Sequence, residues 1–190
     1  MSIVIRKAKK DDASQVVSLI YEAIGEIANR LTGESDVNKV LEQLEALFCR
    51  EDNRHSYLNT YVAVKENQPQ NVLGILVLYS GIDGLNMDTN LKKWLEQKNS
   101  PIIQIDPEAH LDEFYVDTIC VHESCRGLGI GTILLQFAEE IAKQNGFYKL
   151  SLNVETEKFS AISLYERVGF VVTEPWTIID EPFHHMVKKL

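Results

Sequence analysis

The stretch of this 190-residue chain with the clearest chemistry is Arg126-Gly127-Leu128-Gly129-Ile130-Gly131-Thr132, set between a strand-like run and a helical one. Glycines at a helix start let the backbone approach a ligand closely. The N–H groups of a first helical turn have no partner inside the helix, and the positive end of the dipole adds to their pull on an anion. The chemistry on offer is the cradling of a pyrophosphate by the main chain of residues 126–132, with the Arg126 side chain as a fixed cation beside it. The spacing excludes two other phosphate binders. A dinucleotide fold needs G-x-G-x-x-G, and here the third glycine comes one residue early. A P-loop needs a lysine after its last glycine, whereas Thr132 follows Gly131.

The elements that must hold this loop can be read from periodicity. Ile3 to Ala8 predicts a first strand, and Asp11 or Asp12 can cap a helix with Val16, Val17, Ile20, Ala23, Ile24, Ile27 and Leu31 on one face. Thr32-Gly33 stops it. Ser35 or Asp36 caps a second helix with Val40, Leu41, Leu44, Leu47 and Phe48 on its apolar stripe. Strands follow at Thr60 to Val64 and Val72 to Tyr79, joined by a turn over residues 67–71. The pattern weakens from Gly81 to His110, where a short helix around Leu91, Trp94 and Leu95 sits in loop; so long a weak segment is more often functional than idle. Phe114 to Val121 reads as a strand, Ile130 to Gln144 as a helix ended by Asn145-Gly146, and Leu150 to Val154 as a strand. A helix from Ala161 to Val168, a strand opening at Phe170 and a last strand from Phe183 to Lys188 complete an α/β order with a mixed sheet and helices on both faces.

Composition narrows the function classes. A net charge of -9 argues against a general nucleic-acid binder, which needs clustered Lys and Arg, and favours a cationic acceptor such as an amine. Three cysteines without C-x-x-C spacing read as reduced thiols, and no run is apolar enough to span a bilayer or, over Met1 to Lys10, to serve as a secretory leader. The expectation is a cytoplasmic protein of one domain, 1–190, without a membrane partner. His184-His185 places one imidazole on each face of a strand, poor geometry for one ion, so no metal is expected.

Arg126-x-x-Gly129-x-Gly131 after a strand resembles the R/Q-x-x-G-x-G/A signature of the GNAT N-acetyltransferase superfamily. Downstream, Ala161-Ile162-Ser163-Leu164-Tyr165-Glu166-Arg167-Val168-Gly169-Phe170 is similar to the family's A-I-x-L-Y-E-x-x-G-F segment. The two motifs stand in the right order, and the close match covers Phe114 to Val172.

The resemblance implies a sheet parted at its centre to admit acetyl-CoA and a direct attack of a primary amine on the thioester. It places Ile119, Cys120 and Val121 along the pantetheine arm, through the free backbone groups of Ile119 and Val121. Arg126, Gly127, Leu128, Gly129, Ile130, Gly131 and Thr132 then hold the pyrophosphate. Tyr165 falls where the family often places the acid that protonates the departing thiolate. An alkylamine has a reference pKa of about 10.4, so a carboxylate base is the usual remedy. Glu113, Tyr115, Asp117, Ile119 and Val121 alternate onto one strand face, making Asp117 the first candidate and Glu113 the second. Where the family often has Asn before the alanine, this chain has Lys158; either Asn153 takes over a polar contact or Lys158 meets a cofactor phosphate. Segment 81–112 and the first two helices should build the acceptor site, and the family leaves room for a homodimer through the last strands. Two rivals stay open: an acyl-CoA-binding protein without catalysis, and transfer of a longer acyl group on the same fold.

Overall fold

A computed structural model describes residues 2–101 and 104–190. Among the described residues, seven strands form one sheet in the order β1-β2-β3-β4-β5-β7-β6. They are β1 (Ile3–Lys7), β2 (Thr60–Lys65), β3 (Gln68–Ser80), β4 (Phe114–Val121), β5 (Lys149–Glu155), β6 (Val171–Ile178) and β7 (Glu181–Lys189). All neighbours are antiparallel except β4 and β5. Helices α1 (Ala13–Ile24), α2 (Ile27–Thr32) and α3 (Val37–Cys49) pack on one face with α4 (Gly81–Gln97); α5 (Ile130–Gln144) and α6 (Phe159–Arg167) cover the other. Among the described residues, no helix is long and apolar enough to cross a membrane.

Two cores follow from the alternation of side chains along the strands. Leu76, Leu78, Phe114, Val116 and Leu152 meet Ile130, Leu134 and Ala138 of α5. Val62, Val64 and Ile75 meet Val16, Ile20, Leu44 and Phe48 of α1 and α3 on the opposite side. Asp36 caps α3, its carboxylate accepting from the Lys39 N–H at 3.1 Å.

Three expectations about residues 1–71 change. The long first helix is two, because Gly25 adopts φ 52° and ψ -122°, outside any helical region, and turns the chain between α1 and α2. Asp12 does not cap it by side chain: its carboxylate is taken by Arg6 at 2.8 Å and by the Lys9 N–H at 2.7 Å. The 67–71 turn shortens to Glu66-Asn67, since β3 already begins at Gln68.

The largest change concerns 81–112, whose residues 102 and 103 lie outside the described residues. Instead of a short helix in loop, the 17-residue α4 starts immediately after β3. Ser80 caps it, its hydroxyl accepting from the Asp83 N–H at 3.1 Å. The two glycines that obscured the helical pattern are packing requirements. A Cβ at Gly81 would fall 2.0 Å from the His110 carbonyl oxygen, and one at Gly84 would fall 2.9 Å from the Tyr79 ring.

The central irregularity is at Asp117. The β3–β4 register slips between the pairs Val77–Thr118 and Leu78–Val116, leaving Asp117 as an extra residue in β4. The slip breaks the expected five-residue alternation. Tyr115 packs with Tyr79 on the α4 side, whereas Ile119 and Val121 pack on the α5 side.

Candidate active site

β4 and β5 pair over only three positions, Phe114–Leu150, Tyr115–Ser151 and Val116–Leu152. From Asp117 onward the strands part. The His122 N–H donates to the Leu73 carbonyl of β3 at 2.8 Å, so alternation turns the main-chain groups of Val121 and Ile119 towards the gap. The glycine loop lies at its end. Gly127 and Gly129 hold φ of 77° and 79°, which an L side chain would strain, and Gly129 caps α5 with no side chain over its first turn. That turn therefore presents bare N–H donors.

The loop borders a groove of about 740 Å³ lined by Ile119, Val121, Gly129, Gly131, Leu164 and Tyr165. A chain of methylenes and amides ending in a pyrophosphate fits this combination of strand edge, glycine cradle and uncapped helix start. Leu128 is 60% exposed and stands clear of the groove, so only its backbone belongs to the cradle. Arg126 donates from Nε to the Val121 carbonyl at 3.1 Å, and its guanidinium pairs with Glu22 of α1.

On the other side of the gap a cavity of about 520 Å³ runs between the α1–α2 turn and β7. Tyr165 and Cys120 line both spaces. Burial pushes the Tyr165 phenol up to about 12, so it stays protonated at neutral pH, and it makes no hydrogen bond among the described residues. Burial, reinforced by Glu22, pushes the Cys120 thiol up to about 11, leaving a neutral packing group.

The cavity floor is polar and nearly closed to solvent. Arg54 and His55, both 2% exposed, enter from the turn between α3 and β2. Arg54 serves Asp88 of α4, with Nε 3.2 Å from its carboxylate, and also binds Glu108; Asp117 lies 3.6 Å away. Burial alone would raise the Asp117 carboxyl, but His55, Arg54 and the Tyr79 hydroxyl together hold it well below the usual carboxylate range. Glu108 goes the other way: burial outweighs its Arg54 partner, and its pKa rises. Burial and the surrounding carboxylates raise the Tyr115 phenol, which donates to Glu108 at 2.8 Å.

Of the residues expected at the site, the loop residues, the β4 edge, Asp117 and Tyr165 come together around the gap. Glu113 does not. It lies 2% exposed, away from both spaces, between His185 Nε2 at 3.1 Å and the His110 N–H at 3.1 Å. Asn153 stands in the polar floor, not at the phosphate loop: it donates to the Glu108 carbonyl at 2.8 Å and engages His185 Nδ1 at 2.7 Å. Lys158 lies across the gap from the glycine loop, at the mouth of the second cavity, where it pairs with Glu155 at 2.7 Å.

Arg54, His55 and Tyr79 escaped the sequence reading, whereas Glu108 belongs to an acidic run, residues 106–113, legible as either a solvated loop or an amine-attracting rim. The run Asn53-Arg54-His55-Ser56 is polar and aperiodic, the pattern of an exposed turn, yet every member is buried. Its one legible signal is Asn53, which folds the turn back on α3 by donating to the Leu47 carbonyl at 2.7 Å.

His110, Glu174 and His185 bring potential ligand atoms within 4.8 Å of one another. Asn153 and Glu113 already occupy both ring nitrogens of His185, and Trp176 stacks on its ring at 4.6 Å, so the cluster is knit into the fold.

A mixed sheet parted beside a glycine loop and an uncapped helix defines a fold of the acyl-CoA N-acyltransferase class. The chain belongs to the acetyltransferase (GNAT) family, whose model matches residues 22–170. It resembles a crystal structure of an acetyltransferase at 28% identity and a TM-score of 0.79, covering 98% of both chains. It is similar also to an N-acetyltransferase from Staphylococcus aureus Mu50, at 26% identity and a TM-score of 0.79, over 97% of this chain and 99% of that one. Among curated proteins, it is 40% identical over 55 residues to the uncharacterized N-acetyltransferase YobR of Bacillus subtilis (strain 168), a match covering 29% of this chain. The chain spans 22% of YobR and 43% of a second such relative, YdgE.

Proposed function

We propose that this protein transfers the acetyl group of acetyl-CoA to a primary amine by direct attack. The observation that carries this reading is the meeting, at Tyr165, of the groove beside the glycine loop with the polar-floored cavity. The first space suits a pantetheine and pyrophosphate, and the second suits a polar acceptor that must reach the same point.

When bound, acetyl-CoA supplies an activated acyl carbon. The backbone of residues 126–132 holds its anionic end, and the β4 edge aligns the arm through Ile119 and Val121. Cys120 closes the β4 wall between them by packing alone. Tyr165 directs an unengaged hydroxyl into the gap and donates to the sulfur as the C–S bond breaks. Asn153 and Lys158 take no part in holding the phosphates in this reading; both belong to the acceptor side. Glu113 braces the end of β4 through His185.

The cavity's carboxylates, Glu108, Asp117, Glu22 and Glu155, outnumber its cations and favour a positively charged acceptor. Segment 81–112 contributes through Glu108, and α1 and α2 supply the apolar wall of Ala23, Ile24, Ile27 and Leu31. Three unpaired cysteines support a reducing, cytoplasmic setting. The outer strand β6 exposes Val171 and Val172, which supports pairing of two copies along that edge.

Calorimetric titration with acetyl-CoA, followed by thiol release in the presence of an amine panel, tests the proposal. Micromolar binding with amine-dependent release is expected. Binding without turnover would instead make the chain an acyl-CoA-binding protein, and absence of binding by folded protein would sink the reading.

A further inference from the structure

We infer that His55, oriented by Asp117, is the base that takes the proton from the attacking amine. The inference rests on the acetyl-transfer reading and assigns one step within it.

On the buried floor of the cavity, below Glu22 and Glu155 at its exposed rim, few side-chain acceptor atoms are free. Asp117 has none to spare: Oδ1 accepts from Thr118 Oγ1 at 2.7 Å and faces His55 Nε2 at 3.1 Å, while Oδ2 accepts from Tyr79. Glu108 is similarly engaged, Oε1 by Arg54 and Oε2 by Tyr115. Glu113 is outside the cavity. His55 differs. Its Nε2 points at Asp117, which makes that nitrogen the N–H and leaves Nδ1 with the lone pair. Nδ1 has no hydrogen bond among the described residues. His55 lines the cavity, and its Nδ1 is not among the enclosed side-chain atoms left without a partner, so that nitrogen opens on the cavity.

The ring is held rigidly for this task. The His55 N–H donates to Asn53 Oδ1 at 3.0 Å, and Thr60 Oγ1 donates to the Ser56 carbonyl at 2.9 Å. Asp117 is thus a positioning residue, and its extra place in β4 is what aims its carboxylate at His55. An ammonium acceptor first gives one proton to solvent; as the N–C bond then forms from the neutral amine, the C–S bond breaks with its electron pair on sulfur. His55 Nδ1 takes one proton from the amine, Tyr165 gives one to the thiolate, and exchange with solvent restores both groups. The charged and titratable groups that line the cavity with the imidazole are Asp117, Tyr115 and Cys120 from β4, Arg54 from its own turn, Glu108 from the segment before β4, Glu22 from α1, Arg126 from the glycine loop, Glu155 from β5, Lys158 at the start of α6 and Tyr165 within it.

Two measurements test this. Ring-nitrogen NMR of the wild-type protein at pH 8 should show His55 as the Nε2–H tautomer; an Nδ1–H tautomer, or an imidazolium at that pH, overturns the inference. Steady-state thiol release with alkyl diamines, an aminoglycoside and a peptide amine should show an ascending pH limb. In His55→Gln, kcat should fall by about 10²–10³ and that limb should vanish, with acetyl-CoA affinity within about twofold of wild type. Added imidazole should restore part of the rate in His55→Ala. Release that survives His55→Gln with its pH limb intact overturns the role of His55 alone. No release by acetyl-CoA-bound wild type with any of these amines overturns the transfer reading, and the assignment of His55 with it. The tautomer measurement needs no variant, so a His55→Gln protein that fails to fold leaves the inference open to refutation.

Discussion

Arg126 Nε donates to the Val121 carbonyl at 3.1 Å, tying the arginine of the glycine loop to the strand edge that the proposed function gives to the pantetheine arm. The same guanidinium pairs with Glu22, so a cofactor phosphate must compete with a carboxylate for it. Glu22→Gln should tighten acetyl-CoA binding about two- to fivefold, a small effect because the pair is exposed and screened. Arg126→Ala should weaken binding about tenfold, in line with loss of a charge-assisted contact. Calorimetry at low and high salt checks both, and the Glu22 effect should shrink with salt.

Replacing Gly129 and Gly131 together by glutamate should reduce acetyl-CoA affinity at least 100-fold. Gly129 holds φ 79°, where a side chain costs roughly 1–2 kcal/mol, so a modest fall in Tm should accompany the loss. The added carboxylates also oppose the dipole's attraction for phosphate. Binding within tenfold of wild type by a folded double variant would remove the loop from the cofactor site.

Tyr165→Phe should leave stability within about 0.5 kcal/mol of wild type, because the hydroxyl gives up no hydrogen bond in the fold. Acetyl-CoA affinity should also hold, while kcat falls about 10–100-fold. Thermal unfolding beside steady-state thiol release separates the two effects.

Asp117 links stability to pH. Its folded pKa lies below the unfolded value of about 3.9, so its contribution is present above that pH and is lost as pH falls through the depressed folded value. Urea unfolding from pH 7 to pH 3 should show stability falling at the acid end, and Asp117→Asn should flatten that fall. At pH 7 the variant should be about 2–4 kcal/mol less stable, because Arg54 loses a counter-charge and the His55 Nε2–H a carboxylate acceptor in a buried setting.

The long periodic helices and the glycine loop were legible because local spacing decides them. The stripe of α5 and the run Arg126 to Thr132 specify their own conformations with little help. The start of α4 was not legible, since Gly81 and Gly84 look like loop residues until His110 and Tyr79 are seen against them. The alternation of β4 misled for the same kind of reason. One extra residue at Asp117 turns Ile119 and Val121 to the other face, and only the pairing with β3 reveals it.

From sequence alone came the α/β order, the glycine loop before α5, the helix that carries Tyr165 and the acetyltransferase resemblance, all carried by residues close together in the chain. The tertiary structure decided which polar groups meet at the cavity floor. Arg54 and His55 lie about sixty residues from Asp117, and Glu108 comes from a weakly patterned segment between them. The opposite pKa shifts of Asp117 and Glu108 are set by burial and by their buried neighbours, and they exist only once β4, the α3–β2 turn and the 104–112 segment have closed around the same space.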